Sequence, residues 1–308
     1  MTPGSYSRRT LTLGSAVSGR VIRKRYSSGA IMFDSNPFAE VSALIPPSFM
    51  QTYVVVMILL VAGGTLYDVY HKKSAQYFFE NWRKSKSRGA KSVDMNSIAI
   101  KTAVHDVLAS GEFCNPKRRI AHLLTMYGFI LYVLSTAIMV FWYPTPDVAT
   151  PAILPFLWWL GGLMVAVGGY WFWFFIRVDV AAEGNSPLRV VHADLFILSL
   201  LASVTFGLIW AYLQSNGSSW TTVFLGLYLI ATTVLFGSIP WSKFSHMFFK
   251  PAAALQKRVA VANGSYDNLP PPADRSDPAT RDRHSMELLK DAPLDMGLGI
   301  KREQPRHY

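Results

Sequence analysis

Five stretches of the chain are apolar and almost free of ionised side chains: residues 49–68, 120–143, 152–176, 190–213 and 219–239. Each is close to the roughly 20 residues that an α-helix needs to cross a bilayer. The pattern predicts an all-α fold, a polytopic membrane bundle of five transmembrane helices occupying 49–251, with an N-terminal segment at 32–48. Pro46 and Pro47 suit the entry to the first helix. The polar loop 71–119 contains one short amphipathic helix, Ser97 to Leu108. Pro144, Pro146 and Pro151 make the second connection a turn, and Ser215 to Ser219 is a tight hydrophilic one. From 252 to 308 the chain is polar and carries Pro270-Pro271-Pro272; it is expected to be a disordered, partner-binding tail. Within it only Met286 to Leu289 has the composition of a helical turn.

Composition supports this reading. The 308 residues are 51% hydrophobic and 16% charged, against about 25% charged in soluble domains. An ordinary soluble globule is excluded. The formal net charge of +11 invites a nucleic-acid partner, but no nucleic-acid motif stands beside it. The charge is sorted by side instead. Eleven Lys or Arg residues follow span one, Arg177 and Arg189 follow span three, and Lys243, Lys250, Lys257 and Arg258 follow span five. The connections after spans two and four have none. Lys and Arg collect in cytoplasmic loops, so the N-terminus is expected outside and the C-terminus in the cytoplasm, in the cell inner membrane.

Residues 1–31 fit that topology poorly. They hold six basic residues, many serines and no acid, a composition like that of a transit peptide. The preferred expectation is an upstream extension of a protein starting at Met32. From there 24 basic face 19 acidic residues, a balance of +5. The single cysteine, Cys114, excludes an internal disulfide and a Cys-ligated iron–sulfur cluster.

Ionisable residues in or at the edge of membrane spans are functional candidates, because lipid makes them costly. His122, His192 and His246 lie at span ends, all on the expected cytoplasmic side. Two imidazoles from neighbouring helices can ligate a b-type haem axially. His122 with His246 is the candidate pair, holding at most one haem iron, and His192 is the competing ligand. The competing reading is that all three are interfacial histidines. Lys243, Asp194 and Trp241 are the candidates for a quinone site. Gly128, Gly161-Gly162 and Gly168-Gly169 are read as points of close helix approach. Phosphate loops, HExxH, CxxC pairs and hydrolase elbows are absent.

Two stretches carry a resemblance. Arg118 to Phe129, RRIAHLLTMYGF, resembles the opening of the second helix in membrane subunits of the nitrate reductase gamma family, in the branch with heterodisulfide-reductase-like and quinone-interacting oxidoreductase subunits. Pro240 to His246, PWSKFSH, resembles that family's ending of the fifth helix, and His105, Phe113 and Cys114 add to the likeness, which covers 98–250. It implies haem b at His122 and His246. Tyr228 stands where the family has another histidine, and Ile130 to Thr136 has none, so an outer haem is not expected. A short version without an iron–sulfur domain looks most like the membrane anchors encoded beside dissimilatory adenylylsulfate reductase in sulfur oxidisers. The resemblance then implies a cytoplasmic iron–sulfur flavoenzyme, adenylylsulfate reductase, as partner, and electron transfer from it to the quinone pool. The basic loop 83–91 and the tail would be the docking surfaces. A cofactor-free structural anchor is the alternative, and a small-solute transporter a weaker one, since no repeat or broken helix pair is present.

Overall fold

A computed structural model describes residues 31–266 except 72, 89–90, 114, 182 and 243–245, together with 269, 278 and 279. Among the described residues the regular structure is helical throughout. Two short helices come first, α1 (Ile31–Asp34) and α2 (Pro37–Val41), then the long α3 (Pro47–His71). The polar loop holds α4 (Ser74–Arg88) and α5 (Met95–Lys101), the latter continuing as a π-helical segment, Thr102–Leu108. The bundle goes on with α6 (Pro116–Trp142) and α7 (Ile153–Trp171), which ends in a second π segment, Phe172–Ile176. After α8 (Val178–Ala181) come α9 (Leu195–Ser215), α10 (Thr221–Gly237) and α11 (His246–Ala262).

Four helical stretches are long and apolar enough to cross a membrane: Pro47–His71, Pro116–Trp142, Ile153–Ile176 and His192–Ser215. The chain is thus built as a helical, multi-pass membrane protein. The fifth expected span is shorter than the sequence reading made it. Helix α10 has 17 residues, about 25 Å of rise, because the helix ends at Gly237 and Pro240 cannot donate a continuing hydrogen bond.

Local signals explain the helix starts. Asn115 Oδ1 accepts from Lys117 N at 3.0 Å and Pro116 takes the first helical position of α6, where its missing N–H costs nothing. Asp94 caps α5 in the same way, accepting from Asn96 N at 3.0 Å.

Helices α6 and α7 meet backbone to backbone. A Cβ placed on Gly128 would stand 2.7 Å from the Gly161 carbonyl oxygen, and one on Gly161 would stand 2.7 Å from that of Gly128. A Cβ on Gly168 would meet the Ala121 carbonyl at 2.8 Å. The expectation of close approach at these glycines is met.

The bundle has two unlike ends. At one, rings fill the interior: Tyr132 stacks on Trp158 with centroids 4.8 Å apart, and Tyr228 stacks on Trp210 at 5.7 Å. Phe38 is wedged edge-on against Trp158 and Trp210. Asn36 holds that wedge in place. Its Oδ1 caps α2, and its Nδ2 donates to Tyr143 O at 2.9 Å and to Thr150 Oγ1 at 3.1 Å.

At the other end α4, α5 with its π segment, and α11 pack into a polar layer. Asn263 Nδ2 donates to Ser85 O at 3.0 Å and Ser85 Oγ at 3.1 Å, and Arg258 binds both carboxylate oxygens of Asp106. The polar tail expected from 252 is therefore helical as far as Ala262. Helix α11 passes through Pro251 and buries Ala254, Val259 and Ala260. The expected turn at Met286 to Leu289 lies outside the described residues.

Candidate functional site at the His122 end of the bundle

His122 is the seventh residue of α6 and is half-buried. Its Nδ1 lies 3.0 Å from Ser110 Oγ, and its ring packs against Phe113 with centroids 4.8 Å apart. Both neighbours come from the turn that follows the π segment. Arg119 Nε donates to Ala109 O at 2.8 Å and Tyr127 OH donates to Leu108 O at 2.8 Å, which pins this turn across the first turns of α6. Ser110 has φ of +50°, unusual for a residue with a Cβ, and is buried. Thus the polar layer reaches His122 directly.

The helical period carries the His122 face inward. Seven residues on, Phe129 meets Phe236 of α10 at 6.4 Å, and Tyr132 begins the ring-filled end. The chain that leaves α10 passes Ile239 and Pro240 and then opens α11 at His246. The side chain of His246, and Lys243 altogether, lie outside the described residues. The pairing of His122 with His246 is not placed by the geometry.

The other candidates have the following surroundings. Asp194 is buried in an ion pair with Arg177, Nη1 to Oδ2 at 2.5 Å, and the same oxygen accepts from Val191 N at 3.0 Å. Arg177 lies over the Trp173 ring at 3.9 Å and donates to Arg189 O at 2.7 Å. Asp194 thus ties the end of α7 to the start of α9. His192 opens the 3₁₀ turn His192–Asp194 and is exposed. Trp241 is 66% exposed.

Several residues escaped the sequence reading. Asp68, in the last turn of α3, is 2% exposed. It stands one turn beyond Gly64, where an added Cβ would lie 3.1 Å from Ile239 Cβ, so its helix face looks toward the Pro240 segment. A lone carboxylate at the end of an apolar run was the available signal. Ser110, Arg177 and the pair Asp106–Arg258 had none, since each depends on a partner brought by folding. The Arg258 guanidinium, with His105 adding to it, holds the Asp106 carboxyl below the usual carboxylate range against the opposing effect of burial. Asp106 in turn raises Arg258. Among the described residues no group of three His, Cys, Asp or Glu is placed to hold a metal ion.

Residues 36–265 match the family model described as citrate utilization protein B. A curated relative, citrate utilization protein B of Escherichia coli, is 28% identical over 155 residues. That alignment covers 48% of this chain and 39% of the relative, so the chain spans well under half of that protein's length. No solved structure matches. These findings correct the resemblance drawn above. The stretches 118–129 and 240–246 fall inside the matched region, and the family they belong to is not nitrate reductase gamma. With that, adenylylsulfate reductase, sulfur oxidation and the quinone assignment lose their basis. Electron transfer keeps only the residue-level argument from His122.

Proposed function

The chain belongs to the citrate utilization protein B family, and from that premise we propose that it is the membrane subunit of a citrate-utilising system, one that seats a cytoplasmic redox partner on its polar layer and passes electrons through the His122 end of the bundle. In this reading α10 crosses the membrane as a fifth span, the N-terminus is outside, the C-terminus is in the cytoplasm, and the membrane is the cell inner membrane. The charge sorting supports that topology, since eleven basic residues of the 71–119 loop and those of α11 then share one side.

The observation that carries the proposal is the layer itself. Side-chain hydrogen bonds across more than 150 residues of sequence tie the π segment that continues α5 to α11, and α4 to Asn263 just beyond α11. These elements form a platform at one end of the bundle, and its Ser110 and Phe113 touch His122. A group docked on this platform stands next to the histidine.

The donor chemistry at His122 fits haem b. A metal-ligating imidazole characteristically has its second nitrogen engaged by a hydrogen-bonding partner, and Ser110 Oγ occupies that role at Nδ1. His122 would hold the iron with His246 as the second ligand, and His192 is the competing one. Bound haem would supply one-electron transfer. The chain's own contribution is to orient the His122 ring through Ser110 and to line it with Phe113. At the opposite end Tyr132, Trp158, Trp210 and Tyr228 fill the interior among the described residues. That filling also favours a second reading, a cofactor-free anchor with the same platform.

One pair of measurements separates them. Protein purified in detergent is expected to show a reduced-minus-oxidised haem b spectrum that is lost in His122→Ala, while a citrate-system partner still co-purifies with the variant. Co-purification with no haem band in the wild type would leave the anchor. Neither band nor partner would overturn both.

A further inference from the structure

We propose that α4 is an interfacial helix that binds anionic phospholipid headgroups through Arg83, Lys84, Lys86 and Arg88. Helix α3 is a membrane span whose last residue is His71, and α4 begins three residues later, after Lys73 turns the chain with φ of +53°. The start of α4 is therefore held at the depth of the membrane surface.

The side chains sort along α4 as such a depth requires. One face, Phe78, Trp82 and Ser85, packs inward, with Phe78 stacked on Trp82 at 5.7 Å and Ser85 bonded to Asn263. Ala75, Glu80 and Asn81 are half-buried, and the remaining described side chains from Gln76 to Arg88 are exposed. Tyr77 and Phe79 in the first half are 61% and 62% exposed, and Tyr70 at the end of α3 is 85% exposed. Aromatic rings left uncovered by protein at this level suit the boundary between headgroups and acyl chains. The second half holds four cations in six residues, all exposed, and the helix carries one acid, Glu80, engaged by Gln76 at 3.1 Å. Lys86 Nζ lies 5.7 Å from the Trp82 ring centroid, so its stem runs along the aromatic surface while the charge stays outside.

A polybasic cluster immediately beside a membrane span is what an anionic leaflet attracts. An acidic protein would match the charge, but it would leave Tyr77, Phe79 and Tyr70 without an apolar environment. Lipid answers to both the cations and the rings. The platform residues for a protein partner are then those of α5 and α11, and α4 serves as the seam between platform and bilayer.

The test uses the full chain in a non-ionic detergent, titrated with fluorescent short-chain phosphatidylglycerol and, in parallel, phosphatidylcholine. Saturable binding is expected for phosphatidylglycerol alone. The variant Arg83→Gln/Lys84→Gln/Lys86→Gln/Arg88→Gln is expected to bind it at least about tenfold more weakly. A control, Lys101→Gln/Lys117→Gln, removes exposed cations outside α4 and is expected to bind like the wild type. Circular dichroism checks that the fourfold variant keeps its helix content. Should it fail to fold, the wild type still decides, since 0.5 M salt should weaken phosphatidylglycerol binding strongly. Equal binding of the two lipids overturns the proposal, as does a folded fourfold variant with unchanged affinity. So does one that keeps its lipid and loses a protein partner.

Discussion

Gly161→Ala tests the contact on which the bundle geometry rests. The added methyl would meet three atoms at once: the Gly128 carbonyl oxygen at 2.7 Å, Tyr132 N at 2.7 Å and Leu131 Cβ at 3.0 Å. Ordinary contact begins near 3.4 Å, so α6 and α7 must separate locally by about 0.7 Å. None of the three atoms can swing aside, because two are backbone and the third is a Cβ. Overpacking of this kind costs about 1–3 kcal/mol, and three rigid contacts put it at the upper end, about 3 kcal/mol. Replacing Gly by Ala in a helix returns about 1 kcal/mol. The net expectation is a loss of about 2 kcal/mol. Gly226 of α10 provides the comparison, for a Cβ there meets nothing within 4 Å. Gly226→Ala should gain up to about 1 kcal/mol by propensity alone. Both variants can be unfolded in mixed micelles of graded denaturing-detergent content, followed by circular dichroism. Tryptophan fluorescence gives a second readout, because separation of α6 from α7 loosens Trp158 on Tyr132. If Gly161→Ala is as stable as Gly226→Ala, the close crossing is wrong.

Two further outcomes follow from the polar contacts. Removing one partner of the buried Arg177–Asp194 pair, by Arg177→Met or Asp194→Asn, should cost about 3–5 kcal/mol, and Arg177→Met/Asp194→Leu should recover much of that; thermal melts in detergent measure both. Because Arg258 lowers the Asp106 carboxyl, this pair contributes stability above the ordinary carboxylate range and loses it as pH falls through the depressed value. Limited proteolysis should find α11 protected at pH 7 and released only below about pH 4, with His105, Glu112 and Lys257 as the other charges nearby. Asp106→Asn should release it at neutral pH.

The spans were legible because lipid imposes a one-dimensional rule: charge is absent over a fixed length. The glycines were legible for a related reason, since small residues inside a span have few uses besides close packing. Helices α4 and α11 were not legible. Their stability comes from each other, through contacts such as Ser85 with Asn263, 178 positions apart, and no local period announces that. The length of the fifth span was overread, because apolar composition continues through Ser238 and Ile239 after the helix has ended. At the site, His122 stood out as a titratable group at a span end. Its partner Ser110 did not, being an ordinary serine whose positive φ is set by the fold. Asp194 stood out by its position at the membrane edge, while its partner Arg177 did not, since Arg177 reaches it only across the folded loop. The family likeness failed in another way. Short histidine-bearing stretches recur among membrane subunits, and a match over 36–265 discriminates where two short motifs do not.

The plug of rings at the Trp158 end has an electrical meaning. A membrane potential falls across matter of low polarisability and is nearly flat where water penetrates. With Phe38, Trp158 and Trp210 packed together at one end and a layer of polar side chains at the other, the drop is expected to concentrate in the ring-filled half. Moving one charge through the whole drop is worth about 2.3 kcal/mol per 100 mV. A charge gained or lost at His122, two turns inside the polar end, crosses only a small part of it. A charge placed at His122 would therefore feel little of the voltage across the membrane, whatever occupies this end of the bundle.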